Sequence, residues 1–404
     1  MNAEIVITGC GLVGAFGCSE ASFATALQAG IPCVGECTYF STRRQVAQVR
    51  GFKLTEHIKN PKAERSPRIS QYALVAAAQA VRQSGIDNKV LGSESSAIVY
   101  GTGNGPAVSS ERSLEAIIAK GLDAVEPLAF QESVFNAPAS LISIQYGIKG
   151  PSVVLPNGHA SGLYALKVGM DLLRLEYADR ILVVAADELA STTMVALAQL
   201  GFITPNDKGT ESAKPFHSTV NGASYGEGAA ALLLERRDTA ITRKARIRAK
   251  ISACVVAGDD RGPGTPDPSG QALARALETV LTRAECTKES IGHVLAGTMV
   301  TRDSDQAELN ALGTVFKDRT QALALTSIKP VIGETYGSAS LMSVVAGILE
   351  LEGAAMFVNP GPLGLAPPPI DLIQTSRPLP SNSAVLINAI GPSSAYACAV
   401  LESA

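Results

Sequence analysis

Seven cysteines and four histidines are the residues of this 404-residue chain best suited to nucleophilic, acid–base or metal chemistry. The cysteines (Cys10, Cys18, Cys33, Cys37, Cys254, Cys286 and Cys398) are scattered and form no CxxC pair, and the histidines are too few to complete a metal set. Their spacing argues for neither a disulfide framework nor a metal site, and it fits reduced thiols in a cytoplasmic protein. A second candidate is the run Gly101-Thr-Gly-Asn-Gly105 behind a strand-like segment. It lacks the Lys-Ser/Thr of a P-loop and the spacing of a dinucleotide fingerprint, so a tight turn is expected there rather than a phosphate cradle. A third is the basic run Arg236, Arg237, Arg243, Lys244, Arg246, Arg248 and Lys250. It reads either as a solvated face or as a docking patch for an acidic carrier protein.

The elements that would position such groups follow an α/β pattern. Short β-branched runs at Glu4–Gly9, Ser96–Gly101, Arg180–Ala186 and Ala384–Ile390 alternate with longer Ala/Leu segments. Ser161–Arg174 and Ser338–Leu351 are apolar around most of their circumference, which requires helices enclosed between layers. After the basic run a second series of α/β units begins, so two halves are expected, 1–245 and 246–404. The Pro-rich stretch from Asn359 to Ile370 has too little hydrogen-bonding capacity for regular structure and reads as an ordered surface loop. Hydrophobic residues make up 46% of the chain and charged residues 18%, with a net charge of -3. That balance points away from a disordered or nucleic-acid-binding class, and no apolar stretch reaches the roughly 18 residues that a membrane span needs. Met1–Gly11 starts acidic and turns directly into a strand-like run, unlike a signal peptide.

Several blocks carry a more specific message. IVITGCGLVGAFG, SQYALVAAAQAVRQSGID and VYGTGNG are followed by FNAPASLISIQYGIKGPSVVLPNGHASGLYALKVGMDLLR, then VNGASYGEGAAALLLE, AGTMVTRDSDQAELNAL, IKPVIGETYGSASLMSVVAGILEL and NAIGPSSAYACAVL. In this order they resemble the landmarks of β-ketoacyl synthases along the whole chain. The resemblance implies the thiolase fold, an α/β architecture in which two similar halves form a five-layer α-β-α-β-α body, normally within a dimer.

It also implies what a catalytic site of this family requires, and this chain departs from it at four places. A ketosynthase holds its acyl chain on a cysteine at a helix N-terminus, where the dipole favours the thiolate; the position falls on His159. A histidine opening H-G-T-x-T falls on Ala296, with Asp303 and Asp305 flanking the aspartate expected just beyond, and His293 belongs to the preceding strand. In K-x-x-x-G-H, Lys329 and Gly333 stand as expected but the histidine position is Glu334, whose charge would repel a developing enolate. The oxyanion-hole loop G-F-G-G reads Gly391-Pro392-Ser393-Ser394, and proline has no N–H to donate; losing one such donor costs about 100- to 1,000-fold in rate.

A family member with this degenerate site resembles the chain-length factors of type II polyketide synthases, which pair with an active ketosynthase. Their usual mark is glutamine at the position of His159, so the resemblance is to the role, and systems making aryl polyenes or aromatic polyketides in Gram-negative bacteria are the nearer parallel. The partner would supply the cysteine and histidines, and an acyl carrier protein would deliver chains on its phosphopantetheine arm. Leu128, Ala129, Phe130 and Gln131, with Phe135 and Asn136 just beyond, lie where family members reach across the dimer, which makes them candidates either for tunnel lining or for simple interface packing. For His159 the alternatives are a space-filling residue in an unused site or a new base for a decarboxylase or hydrolase; a free-standing homodimer that binds an acyl ligand is a third. Lys329 is expected to balance Glu334, a His159–Glu334 contact is conceivable, and Glu227 and Glu308 are expected to support the fold.

Overall fold

The computed structural model describes residues 3–205, 213–219, 222–262, 264, 266–360, 364, 366–392 and 394–404. Eleven strands form one hydrogen-bonded sheet: β1 (Ile5–Val13), β2 (Ser96–Gly101), β3 (Ser152–Leu155), β4 (Arg180–Asp187), β5 (Gly228–Arg236), β6 (Ala249–Gly258), β7 (Ile291–Leu295), β8 (Leu323–Thr326), β9 (Ile370–Leu372), β10 (Ala384–Ile390) and β11 (Ala395–Glu402). Their spatial order is β3-β2-β4-β5-β1-β6-β11-β10-β7-β8-β9. The first five strands therefore run third, second, fourth, fifth, first, and β8-β7-β10-β11-β6 repeats that order. The pairing repeats as well: β2 is parallel to β3 and β4 as β7 is to β8 and β10, while β5 and β11 are antiparallel to their neighbours. A short antiparallel contact of Ile5–Ile7 with Ala249–Ile251 joins the two sets, and β9 adds an edge beyond β8.

Two helices, Ser161–Arg174 and Gly337–Leu351, pack on each other and on strands of both sets. Arg68–Ser84 covers β1 and β5 on one outer face, and Gln271–Ala284 covers β6 and β11 on the other. The result is the five-layer thiolase architecture that the resemblance implied. Strands with both faces covered must be apolar throughout, and β1, β2 and β10 are buried at every position. The runs at 96–101 and 384–390 and the helix at 161–174 coincide with the expected elements, whereas β1 continues beyond Gly9 to Val13.

The continuation depends on glycine. A Cβ added to Gly11 would lie 2.0 Å from the Ala76 carbonyl oxygen of the Arg68–Ser84 helix. The basic run is largely neutralised within the chain. Arg236 pairs with Asp179, Arg243 with Glu235, Arg246 with Glu352, and buried Arg248 with both Glu20 and Glu352. Lys250 reaches Glu402 and Glu4, and Arg237 reaches Glu4. Most of the run is thus engaged in ion pairs within the chain, while Lys244 and Arg246 remain exposed. Of the Pro-rich stretch, 361–363 and 365 lie outside the described residues. Its ends are built in: buried Asn359 bonds Ser327 N and Leu325 O, and Ile370 opens β9.

Gly11→Ala is expected to destabilise the protein by about 3 kcal/mol, because backbone faces backbone and no side chain can give way. Urea unfolding checks it; a loss under 1 kcal/mol would mean that the helix can retreat.

Candidate functional site

Strand β4 ends in Asp187, fully buried. Its carboxylate accepts from Thr102 Oγ1 (2.9 Å), from the N–H groups of Gly103 (2.8 Å) and Asn104 (2.9 Å), and from Gly337 N at the start of a central helix (3.0 Å). The Gly101–Gly105 run is therefore a turn wrapped around a side-chain carboxylate, occupied in the way a phosphate loop would be. Burial pushes the Asp187 carboxyl up to about 7, against the opposing pull of these donors. The glycines leave room for large neighbours: a Cβ on Gly103 would lie 2.8 Å from Tyr336 Cβ, and one on Gly105 2.4 Å from the Phe135 ring.

His159 lies in the turn Gly158–Ala160 that leads into the Ser161–Arg174 helix. It is 4% exposed. Its Nε2 is 3.2 Å from the Tyr225 hydroxyl, and Nδ1 has no hydrogen-bond partner. The Tyr225 and Tyr336 rings pack on it with centroids at 5.8 and 5.2 Å, and on each other at 5.1 Å. Burial lowers the imidazole to about 4, with Glu334 opposing and Lys329 reinforcing the shift. The hydrogen bond of His159 goes to Tyr225, so a direct His159–Glu334 contact is replaced by one to a tyrosine.

Glu334 is taken up elsewhere. It forms a buried ion pair with Lys329 (Nζ to Oε2 2.7 Å), and its Oε1 accepts from Tyr336 N at 2.8 Å. The Lys329 ammonium also donates to the carbonyls of Gly297 (3.0 Å) and Thr298 (2.6 Å), directly after buried Ala296. Glu308 accepts from the N–H groups of Gly297 and Thr298 and from the Asn388 amide. Of the two flanking aspartates, Asp305 is the buried one; it accepts from the Thr298 hydroxyl and Phe216 N, and burial lifts it to about 7. Glu227 accepts from the Tyr39 and Tyr72 hydroxyls and from Val49 N.

Pro392 follows Gly391, where an added Cβ would lie 3.6 Å from Ala160 N and from Asn157 O. The loop thus passes beside the His159 turn; Ser393 lies outside the described residues. His159, Ala296, Lys329 and Glu334 are buried close together, and the half-buried Pro392 lies on the loop that passes beside the His159 turn. The segment Leu128–Asn136 sits outside it, beside the Ala107–Lys120 helix, with Phe130 65% exposed and Leu128, Gln131, Phe135 and Asn136 also exposed; Ala129 is half-buried. Sequence reasoning missed Tyr225, Tyr336 and Asp187. A tyrosine directly before the Gly-Glu-Gly of 226–228 and another two residues after Glu334 were the available signals.

Comparison with known proteins identifies the family. The profile of the β-ketoacyl synthase N-terminal domain matches residues 2–240 and that of the C-terminal domain residues 248–359. The chain belongs to the β-ketoacyl synthase family. The 3-oxoacyl-[acyl-carrier-protein] synthase 2 of Vibrio cholerae is 26% identical over 357 residues, 86% of each chain. Among solved structures, the ishigamide ketosynthase/chain length factor superposes with a TM-score of 0.91 at 23% identity, and AntDE:AntF, a type II polyketide ketosynthase in complex with its acyl-carrier protein, with 0.88 at 21%; both cover 100% of both chains. At these identities the structural likeness establishes the fold of this β-ketoacyl synthase family member.

Two predictions follow from the site. The His159 imidazole resists protonation that the unfolded chain accepts near pH 6.5, so stability falls as pH drops from about 6.5 toward 4, by about 3 kcal/mol in all. A nitrogen-15 NMR titration with a midpoint near 6.5 would sink this. Lys329→Met alone should cost about 3–5 kcal/mol by stranding a buried carboxylate, while Lys329→Met with Glu334→Gln recovers most of it; equal losses in a denaturation series would show that the two groups are not coupled.

Proposed function

We propose that this chain is a chain-length-factor-like, catalytically inactive member of its family. It pairs with an active β-ketoacyl synthase and shapes that partner's acyl tunnel during polyketide or aryl polyene elongation. The observation that carries the reading is the state of the buried site. Where the family resemblance puts the thioester cysteine stands a neutral imidazole, closed in by two tyrosine rings. Imidazole holds no stable thioester, Ala296 moves no proton, and Glu334 is neutralised by Lys329 rather than free to act as a base. Pro392 offers no N–H beside the turn.

In this reading the partner supplies the nucleophile and both histidines, and an acyl carrier protein presents chains to it on the phosphopantetheine arm. The exposed apolar side chains of the Ala107–Lys120 helix and the segment after it, including Ile118 at 84% exposure, Leu122, Leu128 and Phe130, form the face that the partner covers. Phe130, flanked by Leu128, Ala129 and Gln131 and followed by Phe135 and Asn136, sets the length of the tunnel. All seven cysteines are free, which fits a reducing, cytoplasmic setting. No helix among the described residues is long and apolar enough to cross a membrane.

A second reading rests on the unpartnered Nδ1 of His159, which could serve a decarboxylase or hydrolase of acyl-carrier-protein thioesters. Co-expression with the closest encoded intact ketosynthase separates the two. A 1:1 complex whose malonyl-dependent condensation needs both chains, and survives His159→Ala, is expected; turnover by the lone chain that disappears with His159→Ala would establish the second reading. In the reconstituted pair Phe130→Ala should lengthen the product, and an unchanged product length would remove Phe130 from the tunnel.

A further inference from the structure

Next to Asp187 in sequence, Glu188 is only 1% exposed. Its Oε1 accepts from Val108 N at 3.1 Å in the first turn of the Ala107–Lys120 helix, while Oε2 has no hydrogen-bond partner. Glu188 lines a pocket of about 210 Å³ between the start of this helix, the start of the Arg68–Ser84 helix and the segment 126–132. A second carboxylate oxygen there, Glu132 Oε2, is likewise buried and without a partner. Leu128 and Ala129 form part of the wall, so the pocket lies on the face assigned above to the partner subunit.

Arginines line the pocket as well as glutamates, and burial decides which sign of charge it favours. Arg68 is committed elsewhere: its guanidinium lies 3.7 Å over the Tyr39 ring, donates to Leu189 O at 3.1 Å and has Glu227 Oε2 3.6 Å from Nε. Arg65, Arg112 and Glu126 are exposed at the rim, where water and salt screen their charge. Inside remain the two unpaired carboxylate oxygens of Glu188 and Glu132. Such oxygens are costly to leave buried without a donor. An anion would be pressed against both of them, whereas a cation bearing several N–H groups satisfies them. Of the two side-chain cations guanidinium fits better, because its planar fork can donate to two carboxylates at once.

We propose that this pocket is a socket for an arginine of the paired ketosynthase, whose guanidinium donates to Glu188 Oε2 and Glu132 Oε2; the proposal rests on the heterodimer reading. Amid the exposed apolar side chains of this face the contact is sealed from water once the subunits meet, where a charged hydrogen bond carries most weight. Leu128 and Ala129 immediately precede Phe130, so the same contact holds Phe130 in register with the partner's tunnel.

Ethylguanidinium is the probe for the full-length chain alone. Nitrogen-15 NMR should show saturable shifts of the Val108 and Ala129 amides that are lost in Glu188→Gln, which keeps an oxygen to accept from Val108 N but removes the charge. Unmoved amides, or inorganic phosphate shifting them in place of ethylguanidinium, would overturn the proposal. The second arm uses the pair formed with the closest encoded intact ketosynthase. Glu188→Gln should weaken association roughly 30-fold, and Glu132→Gln should weaken it in the same direction; a thermal melt of each variant alone shows that it folds. Unchanged affinity in either folded variant would remove the partner's arginine from the socket and leave the heterodimer reading standing. Absence of any pair with the wild-type chain would instead remove the heterodimer reading, and with it the partner as the source of the guanidinium.

Discussion

Much of this molecule is arranged around one carboxylate. Asp187 is the point at which the end of β4, the turn after β2 and the start of the second central helix meet, and the latter two supply donors to it. Those donors belong to the two ends of elements that would otherwise leave main-chain N–H groups buried and unsatisfied. A carboxylate can serve all four because it has acceptor sites in several directions. Once Asp187 fixes Gly103 and Gly337, the peptide between Glu334 and Gly337 has little freedom, and Tyr336 is directed over the Gly103 backbone onto His159. The exposed segment that precedes Asn136 depends on the same hub, through Phe135 on Gly105.

The elements were largely legible in the sequence and the contacts between them were not. Ser96–Gly101 and Ala384–Ile390 are readable because strands covered on both faces are continuous apolar runs, and Ser161–Arg174 because a sandwiched helix has no polar side wide enough to hide it. Asp187 gave no signal: an aspartate closing a strand resembles any turn residue, and its partners lie some 85 and 150 positions away. The basic run misleads for the same reason. Among its carboxylates, Glu20, Glu352 and Glu402 come from opposite ends of the chain, and β6 gathers them by pairing with β1 on one side and with β11, where Glu402 faces Lys250, on the other. His293 was assigned to its strand, but Glu350, 2.8 Å from its Nδ1, sits on a helix chosen for its apolar character.

The repeat of strand order in the two sets of strands sharpens a contrast. In the first set the β4 terminus carries Asp187, which binds the Thr102 hydroxyl and main-chain donors and, among the described residues, no side-chain cation. Around the start of the last helix of the second set, charge is handled by pairing: Lys329 with Glu334, and two carbonyls completing the ammonium's coordination. Both devices satisfy buried charge without water, and neither leaves a group free to exchange a proton with a ligand. A condensing site needs the opposite, with neutral or cationic donors left open toward a developing negative charge.

Tyr336 brings these threads together. Its φ of 53° and ψ of -126° place a bulky residue where glycine is usual, at a cost of about 1–3 kcal/mol. Such a conformation persists only if its surroundings over-determine it. Here Glu334 Oε1 holds the Tyr336 N–H from one side, and Asp187 holds the next N–H, that of Gly337, from the other. Two carboxylates thus clamp one strained peptide, and Lys329 pairs with the first of them. A neutral histidine at position 334 would bring no negative charge to pair with Lys329, whereas Glu334 both pairs with it and accepts from Tyr336 N. The change at 334 is therefore coupled to the aromatic filling of the pocket: the carboxylate fixes Tyr336, Tyr336 and Tyr225 close over His159, and burial keeps the imidazole neutral. In the proposed reading these substitutions form one structural solution, in which a site relieved of chemistry becomes a packed and charge-balanced core.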